Sequence, residues 1–183
     1  MLARILIVTL AVTALAGSAR AADPPINLYA GQQTRSIKAL SQEDITALRK
    51  GEGMGMAKAA ELNGYPGPMH VLTLAQELGL SPDQVQRITG IRERMSAAAK
   101  PLGDEIIARE EELDRLFVRG QITPERLSAE TAAIGERQGR LRSVHLTAHL
   151  ETRALLTAEQ LAGYEHLRGY GNPAAPPHQH SPG

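Results

Sequence analysis

The chain has 183 residues, 20 basic and 20 acidic side chains, and no cysteine. That length leads one to expect a single domain. The absence of cysteine excludes disulfides and a lipid-bearing N-terminal cysteine, and a formal net charge of +0 gives no electrostatic footprint for nucleic acid.

Aromatic residues make up 3% of the chain and there is no Trp. The core must therefore be built from Leu, Ile, Val and Ala, which suits helices with narrow apolar stripes. Residues 1–21, "MLARILIVTLAVTALAGSARA", read as a secretory signal peptide. Arg4 supplies the positive start, residues 5–16 are apolar but too short to span a bilayer comfortably, and Ala19-Arg20-Ala21 is a cleavage signal. Cleavage near Ala21 removes two arginines and no acid, and leaves no membrane anchor.

Residues 22–68 read as an N-terminal arm carrying short helices. Pro24 and Pro25 keep its start irregular, and Ser41 caps a helix over about residues 42–50, with acids in its first turn. A second helix is expected over residues 54–62, stopped by Asn63-Gly64. "YPGP" at residues 65–68 is a turn, because Pro66 and Pro68 forbid a continuous helix. A third helix is expected over residues 69–78.

At residues 80–84, "LSPDQ" combines an N-cap Ser81, Pro82 at the first helical position and a capping-box Gln84. The long helix it opens runs to about Val118. Val85, Ile88, Ile91, Met95, Ala98, Leu102 and Ile106 fall three or four apart along it, and Pro101 is expected to kink it. Thr123-Pro124 starts the next helix. Leu127, Ile134, Leu141, Ala148 and Leu155 recur there every seven residues, a repeat that favours left-handed packing on a partner helix. The short link makes the two long helices antiparallel neighbours. "LTAEQ" at residues 156–160 opens a last helix to about Arg168. Residues 169–183, "GYGNPAAPPHQHSPG", have the composition of a disordered tail. The fold class is all-α, with a helical-hairpin domain over residues 69–168.

"LSPDQ" and "LTAEQ" are one phrase twice, bracketing a hairpin in a cysteine-free chain with an export signal. In this the sequence resembles the LTxxQ proteins of the bacterial periplasm: the Spy and CpxP stress chaperones, the zinc-resistance-associated proteins and the CnrX-type heavy-metal sensors. The resemblance implies a hooked four-helix hairpin, commonly a homodimer with a concave face, in the periplasm. It implies one of two activities. The first is ATP-independent holding of unfolded or stress-damaged periplasmic proteins, on apolar side chains ringed by charge. The second is metal sensing or resistance, read by a membrane signalling partner. The chain departs from the best-known chaperone of the family in lacking a basic excess.

All six histidines lie at or after position 70. His145 and His149 sit four apart on one helix face, with Cβ atoms about 5–6 Å apart, and two such imidazoles can hold Zn²⁺, Ni²⁺ or Co²⁺ if a third ligand joins them. Folding the hairpin at residue 121 and the preceding helix at residue 80 brings His70 and Glu93 to the height of His149, within about 5 Å. In the CnrX-type sensors the nearest counterparts are the same four residues: His70, Glu93, His145 and His149. The plainer reading makes His145 a packed seam residue and His149 its neighbour at the stripe's edge. His178 and His180 in the tail are candidates for a flexible chelating clip. Met54, Met56 and Met69 suit Cu(I) chemically, though helix packing explains them better. No nucleophile setting or phosphate loop is present, and "HLTAH" lacks the glutamate of a hydrolytic metal site. A binding protein is expected, not an enzyme, with a chaperone lacking any physiological metal site as the alternative.

Overall fold

A computed structural model describes residues 28–170. The expected signal peptide and nearly all of the expected tail lie outside the described residues. The chain divides into a unit of residues Met1–Gly31 and a second, larger unit of Gln32–Gly183. It is all-helical among the described residues, with six α-helices after a 3-10 turn at Gln32–Thr34: α1 Gln42–Lys50, α2 Lys58–Glu61, α3 Pro68–Thr73, α4 Pro82–Val118, α5 Pro124–Arg153 and α6 Ala158–Leu167. No described helix is long and apolar enough to cross a membrane.

The helix starts follow the local chemistry read from the sequence. Ser41, Ser81 and Thr157 each accept from the backbone N–H three residues on, and Asp44, Gln84 and Gln160 return the bond to the cap residue's own N–H. Thr123 caps α5 by accepting from Arg126. Gly51 closes α1 in the left-handed region, with φ 68°.

α4 and α5 form the antiparallel hairpin. Its register is set by Arg94–Glu151 at 2.8 Å, Glu105–Arg137 at 2.8 Å and Arg109–Glu130 at 3.4 Å. Of the seven-residue repeat, Ile134, Leu141 and Ala148 are buried, whereas Leu127 near the tip is 40% exposed because no third helix reaches it. α4 stays helical through Pro101. Pro101 and Ala97, whose carbonyl loses its partner there, both face solvent, so water can take the unpaired oxygen.

Two apolar clusters hold the short helices to the hairpin. In the first, Ile37, Ile45 and Leu48 pack on Ala99, Leu102, Ile106, Ile107 and Leu141. α1 comes so close that a Cβ on Gly103 would lie 2.1 Å from the Leu48 carbonyl oxygen. In the second, Val71, Leu78, Ile88 and Tyr164 close the other end of the hairpin. There the two repeated phrases meet. Gln84 Nε2 donates to Gln160 Oε1 at 2.8 Å, and Gln160 Nε2 donates to Gln84 Oε1 at 3.0 Å. The same amides also reach the carbonyls of Leu155 and Leu78. Each glutamine thus caps its own helix and locks the start of the other.

Two expected helices are shorter than their sequence pattern. Met54 and Gly55 have φ 46° and 78°, so the second helix begins only at Lys58. The third ends at Thr73. Beyond it the chain turns, with Leu80 N–H donating back to Ala75 and Gly79 at φ 58°, which swings Leu78 into the core and its carbonyl toward Gln160.

Candidate functional site

Ten residues between α2 and α3, "ELNGYPGPMH" at positions 61–70, form a cradle. Pro66 and Pro68 have no N–H, so Gly67 carries the one donor between them. It donates to Glu61 Oε2 at 3.1 Å. Glu61, at the end of α2, becomes the point where three helices converge. From α6, Tyr164 donates its hydroxyl to Glu61 Oε1 at 2.5 Å. Just beyond α6, Tyr170 donates to the same oxygen at 3.2 Å, and Arg168 Nε stands 3.5 Å from it. From α3, His70 Nδ1 is 3.5 Å away, and from α5, His149 Nδ1 is 3.7 Å from Oε2.

The electrostatics follow from this crowding. Burial opposes the charge on Glu61. The Tyr164 hydroxyl, the Gly67 N–H and the two imidazoles outweigh it and hold the carboxyl below the usual carboxylate range. Burial and the neighbouring carboxylate push the Tyr164 hydroxyl far up, so it remains a donor.

His149 is fixed more tightly than His70. Its Nδ1–H donates to the Tyr65 carbonyl at 2.6 Å, which leaves Nε2 as its second ring nitrogen. That pairing of one ring N–H with a carbonyl, freeing the other nitrogen, is how metal-binding imidazoles are commonly oriented. Nε2 faces Gly67: a Cβ there would lie 3.0 Å from Nε2 and 3.7 Å from Glu61 Oε2. The approach is tight, and only a residue without a Cβ lets the backbone pass so close to the ring. His70 is 40% exposed and can turn toward the same carboxylate.

The structure therefore brings together His70 and His149, and it adds Glu61. Glu93 stands near the height of His149, as the neighbouring Arg94–Glu151 pair shows, but on the exposed side of α4. The antiparallel register was legible; the face was not. His145 is 3% exposed, and its Nε2 has no hydrogen-bond partner among the described residues. The backbone at Gly53 lies over its Nδ1, 3.3 Å from where a Cβ would stand. Met56 packs against the first apolar cluster, while Met54 and Met69 are exposed. His178 and His180 lie outside the described residues. Among the described residues no three histidine or acidic side chains already stand as a set that could hold a metal ion. Glu61 and His149 are two side chains of the types such a site uses.

Glu61 escaped the sequence reading because it ends a short helix with no motif around it. The signal was the lone N–H between two prolines, which needs an acceptor close by in the chain. No family model, curated protein or solved structure matches this chain.

Proposed function

We propose that this is a periplasmic heavy-metal-resistance and envelope-stress protein. It takes one Zn²⁺, Ni²⁺ or Co²⁺ ion per chain at Glu61, His149 and His70. The observation that supports this is the convergence of two imidazoles from different helices on one half-buried carboxylate. The repeated LSPDQ and LTAEQ phrases are in keeping with it. The ion supplies a cross-link between α2, α3 and α5. A homodimer that passes this change to a membrane signalling partner completes the reading. Calorimetric titration of Ni²⁺, Co²⁺ or Zn²⁺ into the chain lacking residues 1–21 tests it. One site is expected, weakened by His149→Ala and Glu61→Gln and unchanged by Glu93→Gln. Absence of binding, or binding indifferent to His149 and Glu61, refutes it.

A second reading, ATP-independent holding of unfolded clients, is favoured by a different observation. A groove of about 220 Å³ runs along the α4/α5 seam, lined by Ile91, Met95, Ala98, Val144 and Ala148 and bordered by Arg94 and Glu151. Leu150 nearby is 57% exposed, and Phe117 and Val118 at the hairpin tip are 56% and 71% exposed. Apolar side chains edged by charge suit weak, reversible capture. Suppression of aggregation of a heated client, with no nucleotide, is the expected result.

A further inference from the structure

Glu61 already has a cation beside it. Its Oε2 accepts from the Gly67 N–H, while Oε1 accepts from the hydroxyls of Tyr164 and Tyr170 and faces Arg168 Nε at 3.5 Å. A carboxylate oxygen has two lone pairs, and the two hydroxyls take those of Oε1. The guanidinium is therefore left next to that oxygen without a hydrogen bond to it: Arg168 Nε is buried and makes no hydrogen bond among the described residues. Arg168 stays by charge, by donating to the Tyr170 hydroxyl at 3.0 Å and by lying 5.5 Å from the centre of that ring.

The partners of Oε1 are not equally fixed. Tyr164 is buried in the second apolar cluster and cannot turn away without opening the core. The Arg168 side chain is partly exposed and sits just past α6, with Gly169 beyond it at φ 71°. Its long stem can carry the guanidinium into water for the loss of one ion pair and one ring contact. His70 Nδ1 stands 3.5 Å from the same Oε1, so an ion held by His70 and Glu61 would share this oxygen with Arg168. Two cations on one half-buried carboxylate repel more strongly than they would in water.

We infer that Arg168 is the resident counter-ion of Glu61 and that a divalent metal ion must displace it, so that loading the site releases Arg168 and the Tyr170 hydroxyl from the carboxylate. This inference rests on the metal reading above. Such a coupling is reciprocal: the Arg168–Tyr170 strap weakens the ion, and the ion loosens the strap at the end of α6.

The test uses Zn²⁺ as the probe on the chain lacking residues 1–21, by calorimetry and by NMR of the Arg168 Nε–H and the tyrosine rings. Arg168→Gln removes the charge and keeps a donor for Tyr170, whereas Arg168→Lys keeps the charge. Arg168→Gln should bind Zn²⁺ about five- to tenfold tighter than the parent, and Arg168→Lys should stay within about twofold of it. In the parent, the Arg168 Nε–H and the Tyr170 ring should shift together at one equivalent while the Tyr164 ring holds its position. Glu61→Gln without metal should move the Arg168 signal in the same direction, because the carboxylate charge that holds it is gone. If Zn²⁺ binds but Arg168→Gln binds no tighter, or the parent's Arg168 signal is unmoved at saturation, the inference falls and the metal reading stands. It also falls if Glu61→Gln leaves that signal in place. If neither the parent nor Arg168→Gln binds Zn²⁺, the metal reading itself has failed and the inference fails with it.

Discussion

Gly103→Ala probes the closest approach in the fold. A Cβ at this position would stand 2.1 Å from the Leu48 carbonyl oxygen and 2.7 Å from its carbon. Carbon–oxygen contacts close at about 3.3 Å, so α1 must retreat by about 1.2 Å. The obstacle is backbone, which no rotamer change relieves. Ile45 and Leu48, now 6% and 3% exposed, lose their seating on α4, and each buried side chain of that size contributes about 1.5–3 kcal/mol. Undocking both forfeits about 3–6 kcal/mol, and alanine regains about 1 kcal/mol over glycine inside a helix. The expected net loss is about 2–5 kcal/mol. In a domain of this size that lowers the melting temperature by roughly 5–15 °C. Thermal unfolding followed by circular dichroism measures it. Gly135→Ala and Gly139→Ala on α5 are internal controls. Nothing lies within 4 Å of either Cβ position, so each should stabilise by about 0.5–1 kcal/mol. A Gly103→Ala protein that melts at or above the parent temperature would refute the close-approach argument.

Two further outcomes follow from the same geometry. Gln84→Ala and Gln160→Ala should each destabilise, and the double variant should cost less than their sum. The reciprocal amide pair predicts a coupling of about 0.5–1.5 kcal/mol in a denaturant double-mutant cycle; strict additivity would show that the phrases cap their helices independently. His145 gives a pH signature. Burial first, and the nearby His149 second, hold its ring below the ordinary histidine value, so the folded chain binds that proton less readily than the unfolded one. Its contribution to stability is intact above about pH 6.5 and is lost as pH falls from there through the lowered folded value. Denaturant midpoints measured from pH 8 to 5 should slope downward, and His145→Phe should flatten that part of the slope whatever its effect on stability at pH 8.

Much of the fold follows from local chemistry. Caps at Ser41, Ser81, Thr123 and Thr157 start four helices where a hydroxyl can satisfy the first free N–H groups. The seven-residue repeat and the short link at Gly120 define an antiparallel pair. These features act within a few residues or along one helix, so they can be read without knowing the neighbours. α2 and α3 are shorter than their sequence pattern because their ends are set from outside: the left-handed turn at Met54 and Gly55 interrupts the first, and the bond from Gln160 to Leu78 accompanies the early end of the second.

The candidate site divides the same way. That His149 lies on one helix and His70 on another, near one height, is a matter of counting residues. That Glu61 is the carboxylate between them is not. Its partners come from positions 65–70, 149 and 164–170, and no periodicity links those segments. What the sequence by itself determined is therefore the helices, their order and the hairpin's register. Which side of α4 faces solvent, the side that carries Glu93, depends on where α1, α3 and α5 pack on that helix. The tertiary structure also decided that Glu61 is held ionised although half-buried. Among the described residues, Glu61 is surrounded by two hydroxyls, a backbone N–H, a guanidinium and two imidazoles, and a charge can stay in a half-buried place only where donors from several elements meet.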